Sequence, residues 1–131
     1  MMSRRSNNGS ARQYPRTARL NELLREIIAE EIDHLDDDRL QLLTVTSVVV
    51  DGDLRHAQVF YDSLQGEEGD EEILEALGEM RWKLQGAIAR EARMKHTPGL
   101  SFAPDHGVRS GARIESLLAE LPEPGPEPTE S

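Results

Sequence analysis

Five cations fall between positions 81 and 95: Arg81, Lys83, Arg90, Arg93 and Lys95, with Glu91 the one acid among them. The chemistry open to such a run is neutralisation of a polyanion. Side chains that meet successive phosphates release the counterions condensed on a nucleic acid. The same run also has a plainer reading, as the solvated end of a helix whose negative pole attracts cations. Dipole pairing asks for one or two cations in the last turn, whereas these extend over about four turns. On residues alone both readings stand open.

Other chemistry finds less support. The chain has no cysteine, which removes disulfides, thiolate metal sites and thiol nucleophiles. The histidines His34, His56, His96 and His106 form no i,i+4 pair and have no clustered carboxylate partner, so no metal site is expected. Ser, His and Asp are scattered, without a nucleophile-elbow motif, and no glycine-rich loop follows a strand. No catalytic residue and no cofactor are expected. "GEEG" at 66–69 literally fits the GXXG loop of KH domains, but its two glutamates would repel phosphate and it precedes a helix. It reads as a loop. Trp82 could stack on a base, but a packing role is the expectation.

These residues sit in an acidic chain. Fifteen Lys+Arg face twenty-five Asp+Glu over 131 residues, a formal net charge of −10. The charge is segregated. Arg4, Arg5, Arg12, Arg16 and Arg19 occupy the first 19 positions without an acid, eight acids lie in 22–38, and seven lie in 67–79 without a base. Local distribution therefore governs partners more than net charge does. Acids upstream of the basic run would keep a polyanion off those faces.

The elements that must position these groups follow from periodicity. The length suits one domain with one core. Residues 1–15, polar and arginine-rich, are expected as a disordered arm, and 122–131, acidic with alternating prolines, as a disordered tail. Between them lies a folded domain, 16–121. Leu20, Leu23, Leu24, Ile27, Ile28, Ile32 and Leu35 recur at helical spacing from Thr17, with Thr17 or Asn21 as cap. "LLTVTSVVV" and "LRHAQVFYDSL", joined by an Asp-Gly turn, predict a hairpin. The second strand turns Ala57, Val59 and Tyr61 to one face. Asp70 is expected to cap a long helix over 71–96, which Pro98 and Gly99 stop. "LSF" predicts a third strand, "APDHGVRSG" a loop, and "ARIESLLAEL" a short amphipathic helix. The class is α+β, with helices on one face of a three-stranded sheet. No apolar run approaches the ~20 residues needed to span a bilayer, and a cytoplasmic location is expected.

In this order the pieces resemble the ribosome-binding factor A family, from about Arg16 to Leu118. "RTARLNELLREIIAEEI" is similar to the family's first helix, and "DDRL" to its Asp-Pro-Arg-Leu turn, with Asp38 in place of proline. "LTVTSVVVDGDLRHAQVFY" resembles its hairpin, "RMKHTPGLSF" its basic stretch before Pro-x-Leu-x-Phe, and "RIESLL" its closing motif. The resemblance implies a type II KH-like domain, αββααβ, in which an Ala-x-Gly kink replaces GXXG. Counted back from "TPGLSF" that kink falls at Met80-Arg81-Trp82, while the nearest Ala-x-Gly is Ala76-Leu77-Gly78. It further implies a non-enzymatic, monomeric factor that binds free small (30S) ribosomal subunits and 16S rRNA during late maturation, with no membrane or small-molecule partner. The RNA-binding residues would be Arg16, Arg19, Arg81, Lys83, Arg90, Arg93 and Lys95. The alternative is a protein–protein adaptor acting through the acidic first helix and tail.

Overall fold

The computed structural model describes the backbone of residues 2–120 and the side chains of residues 17–119. The elements run α1 (Met2–His34), a 3₁₀ turn (Asp38–Leu40), β1 (Leu43–Val50), β2 (His56–Ser63), a second 3₁₀ turn (Gly66–Gly69), α2 (Asp70–Glu91), β3 (Gly99–Pro104) and α3 (His106–Glu120). The tail over 122–131 lies outside the described residues. So do the side chains of the stretch expected as an arm, 1–15. The helix expected from Thr17 starts at Met2. Its apolar stripe begins only at Leu20, and the upstream turns run through Gly9 and Pro15, residues of low helix propensity.

The sheet has the order β1-β2-β3, with β1 antiparallel and β3 parallel to the central β2. Along β2 the period of two holds as expected: Ala57, Val59 and Tyr61 are all at most 1% exposed. That face meets Leu24, Ile28 and Ile32 of α1 and Ile73, Leu77, Leu84 and Ile88 of α2, all buried in one core. Each fully buried aliphatic side chain of this kind contributes about 1.5–3 kcal/mol. Both long helices therefore lie on one face, as the apolar stripes require. Among the described residues no helix is long and apolar enough to cross a membrane.

Several local expectations are corrected. The hairpin is not closed by a two-residue Asp-Gly turn. Five residues, 51–55, connect the strands, and the Leu54 N–H donates to the Asp51 carbonyl at 2.9 Å. The left-handed position falls on Leu54 (φ 61°), as in hairpin loops built on a turn followed by a bulge. Asn21 does not cap α1. It lies within the helix, and its Oδ1 accepts the Val50 N–H at 3.0 Å, satisfying the outer edge of β1. The helix α2 runs unbroken through Ala76-Leu77-Gly78 and Met80-Arg81-Trp82. The two central helices of αββααβ are thus one here: Met80 and Arg81 are good helix formers, and the cost of about 1 kcal/mol at Gly78 does not break the helix. It ends at Glu91 rather than near residue 96: Ala92 is extended, and the chain must turn back to enter the sheet at Gly99.

The segment "APDHGVRSG" is mostly helix. Asp105 is the reason. Its Oδ1 accepts the Val108 N–H at 3.0 Å, a capping bond that starts α3 at His106. Arg109 in the first turn then anchors the helix, with Nη1 and Nη2 on the two Asp70 oxygens at 2.7 and 2.9 Å and Nε on Asp62 at 2.9 Å. Asp70 also accepts the hydroxyl of the buried Tyr61 at 2.8 Å, so it serves this cluster instead of capping α2. Beyond Arg109 the helix is exposed, including Ile114, Leu117 and Leu118.

The Arg109 guanidinium, helped by the Tyr61 hydroxyl, holds the Asp70 carboxyl below its ordinary range. A carboxylate lowered in the folded state stabilises above its unfolded pKa of about 4 and loses that contribution as pH falls further. Arg109→Met should therefore cost about 1.5–3 kcal/mol at neutral pH. Urea titrations should show the gap from wild type narrowing below about pH 4. A gap that stayed constant with pH would contradict this assignment.

Candidate nucleic-acid interface

The parallel pairing of β2 and β3 sets His56 opposite Gly99, and the Gly99 N–H donates to the Arg55 carbonyl at 2.9 Å. The far end of α2 and the connection after it are thereby tied to the tip of the hairpin. The bond from Val50 to Asn21 brings the start of the apolar part of α1 to the same place. Three chain segments distant in sequence converge at one end of the sheet.

Between them is a cleft of about 350 Å³. Leu20 from α1, Leu54 from the hairpin tip and Met94 from the α2–β3 connection line it, together with Arg55, Arg93 and Lys95. Arg93 and Lys95 are exposed, but they belong to the connection and not to the helix, so the expected cationic strip is not one helical face. Arg19, exposed, directly precedes Leu20, while the Arg16 side chain lies outside the described residues. Arg90 is exposed on the last turn of α2 and reaches Glu31 of α1 at 3.5 Å. Farther back on α2, the Arg81 guanidinium lies 5.9 Å from the Phe102 ring centroid, and the Lys83 ammonium lies 5.6 Å from that of Trp82. Both cations are exposed.

Two features differ from what the residues suggested. Trp82 does not pack in the core; it is 67% exposed between its two basic neighbours. The buried faces of α2 are filled by Ala76, Leu77, Leu84, Ala87 and Ile88, none of which follows the register of position 82. Arg55 was missed altogether. Its place in the cluster depends on the β2–β3 pairing, and only its position just after the turn signal "DGD" hinted at exposure.

The opposite end of the molecule is acidic. Asp36 and Asp38 follow α1, Glu67 and Glu68 occupy the turn before α2, and Glu71 and Glu72 lie in its first turn, all exposed. Cations found there are already engaged. Arg39 pairs with Asp37 and Glu79 at 2.7 and 2.8 Å, and Arg109 with Asp62 and Asp70. Segregation along the sequence thus becomes two ends in space: an acidic pole, and a basic pole where Arg19, Arg55, Arg93 and Lys95 are exposed with Asp51, Asp53 and Glu91 interspersed. Among the described residues no group of three or more His, Asp and Glu side chains could hold a metal ion.

A single α+β domain with two helices on one face of a three-stranded sheet, carrying a basic pole, is the class that fold and surface define. The profile of the ribosome-binding factor A family matches residues 16–118. Similar proteins include ribosome-binding factor A of Rubrobacter xylanophilus, 42% identical over 81% of this chain and 87% of its own, and that of Halorhodospira halophila, 36% identical over 87% and 92%. The crystal structure of ribosome-binding factor A from Thermus thermophilus superposes with a TM-score of 0.61 at 39% identity, covering 67% of this chain and 94% of that one. The chain belongs to the ribosome-binding factor A family.

Trp82 is the single tryptophan of the chain, so its fluorescence reports on this surface alone. With Arg81 and Lys83 beside it, the ratio of iodide to caesium quenching should exceed that of free N-acetyltryptophanamide at equal ionic strength, despite the net charge of −10. A ratio equal to or below that of the free amide would mean that the distant acids set the local field.

Proposed function

We propose that this protein binds the free small (30S) ribosomal subunit, contacting 16S rRNA through its basic pole, and assists late maturation and processing of that RNA. The observation that carries the reading is the convergence of Arg55, Arg93 and Lys95 on one end of a chain with this family's fold. A relative supports it as well. A Thermus thermophilus ribosome-binding factor A, 38% identical with a TM-score of 0.57 and covering 69% of this chain and 96% of that one, is described as fitted into the cryo-EM map of a 30S complex.

The mechanism rests on binding free energy, without catalysis. Phosphates meet the cations, counterions leave, and an rRNA conformation is held or excluded until maturation proceeds. The acidic pole faces away from the RNA by repulsion, which fixes the orientation of docking. The protein acts as a cytoplasmic monomer, with no small-molecule substrate, cofactor or membrane partner.

The test is pelleting with purified small subunits at two salt concentrations. Arg90 is left in place, since its reversal would set an acid against Glu31. Arg93→Glu combined with Lys95→Glu changes two exposed side chains, which costs about 0.5 kcal/mol or less per site in stability. Binding should weaken by orders of magnitude at physiological salt, and its salt slope should fall by about two. Circular dichroism verifies folding. Unchanged pelleting would overturn the reading. If the partner then proved to be a basic protein bound at the acidic pole, the adaptor reading would take its place.

A further inference from the structure

The cleft at the basic pole has a property that phosphate contacts alone do not require: an apolar part of its lining. Leu20, Leu54 and Met94 line it together with Arg55, Arg93 and Lys95. Its volume of about 350 Å³ falls within the range of small-molecule sites, about 300–1,000 Å³. A duplex backbone meeting a flat cationic surface would have no use for such a hollow. A nucleotide lifted out of its stack would use both parts, because its base has apolar faces and its flanking phosphates are anionic.

Leu54 makes the point sharper. Among the described residues it is the one non-glycine with a left-handed backbone, at φ 61°. Leucine is rare there because its Cβ crowds the carbonyl, while Gly, Asn and Asp accept the position readily. The residue is nevertheless 43% exposed and faces the cleft. The hairpin loop needs a left-handed residue at this position, and leucine there, in place of Gly, Asn or Asp, puts an apolar side chain at the cleft.

The walls are fixed by hydrogen bonds. The hairpin tip is joined to β3 through Gly99 N–H and the Arg55 carbonyl, and to itself through Leu54 N–H and the Asp51 carbonyl. Asp53, the acid in the lining, accepts the Arg55 N–H on Oδ1 at 3.1 Å. His96 completes the lining. On this basis we infer that the cleft between the hairpin tip, α1 and the α2–β3 connection seats one unstacked RNA nucleotide, with its base against Leu20, Leu54 and Met94 and its phosphates on Arg55, Arg93 and Lys95. The inference rests on the rRNA-binding reading above and adds that single-stranded RNA is the form recognised.

Leu54→Asn tests it, because the substitution removes the apolar wall and relieves the backbone. The full-length chain is titrated against labelled oligouridylate and against the same strand annealed to oligoadenylate, by fluorescence anisotropy. Leu54→Asn should weaken binding of the single strand about tenfold, as expected for losing one buried aliphatic contact, and leave duplex binding unchanged. Its thermal midpoint should equal or exceed that of wild type. Arg55→Gln should weaken both RNAs. Wild-type single-strand affinity retained by Leu54→Asn overturns the inference, as does a lowered midpoint with both RNAs weakened together, which marks Leu54 as a packing residue. So does a wild type that fails to bind the single strand. Pelleting separates the two levels. If Arg93→Glu with Lys95→Glu loses the small subunit while Leu54→Asn binds oligouridylate normally, the nucleotide seat alone is wrong. If that double variant still pellets, the rRNA reading fails as well.

Discussion

The parallel pairing of β2 with β3 is the constraint from which the rest follows. Two parallel strands cannot be joined by a tight turn, so the chain must travel back along the sheet before it enters β3. The helix α2 makes that return. It starts beside the far end of β2, where Asp70 bonds to Tyr61, and finishes beside the near end, where Gly99 lies opposite His56. Acids in its first turn and cations after its last turn are therefore carried to opposite ends of the molecule. The helix dipole favours the same distribution. Had β3 followed β2 through a hairpin, the acidic and basic segments would have met at one end and cancelled.

Each end is secured by different physics. At the acidic end, a charged cluster of Asp62, Asp70 and Arg109 closes over the buried Tyr61 ring, with the Arg109 guanidinium 5.7 Å from its centroid. Within that cluster each charge has a partner, which is the condition for keeping ionised groups partly buried. At the basic end, backbone and amide hydrogen bonds hold three segments together, and the cations of the cleft remain turned to solvent. One end commits its cations Arg39 and Arg109 to the fold. The other leaves the cations of the cleft exposed to a partner.

The sequence made the periodic elements legible, because burial imposes its own period: α1 and α2 show their stripes, and β2 alternates cleanly. What it hid were features decided by tertiary bonds. Asp70 and Asn21 have the residue types of helix caps, yet each is drawn to a distant donor, Arg109 and Val50 N–H respectively. Asp105 and Arg109 read as loop residues in the sequence because Pro104, Gly107 and Gly111 surround them, and capping geometry outweighs those signals. The cations were visible at the level of residue type. Their arrangement was not, since the helix ends before Arg93 and the lining is completed by Arg55 from another element. The resemblance identified the family from five short pieces in register, but its kinked pair of helices is a single straight-through element of secondary structure in this chain.

The central claim is that a protein of net charge −10 presents one cationic end to RNA and turns its acidic end away. Ultraviolet crosslinking of the protein to purified small subunits, with the crosslinked peptides located by mass spectrometry, measures this directly. The account predicts adducts at Arg19, in the hairpin tip at 53–55 and in 81–96, with none in 36–38 or 62–79. Adducts concentrated in those acidic segments, with the hairpin tip and the α2–β3 connection unmarked, would contradict it.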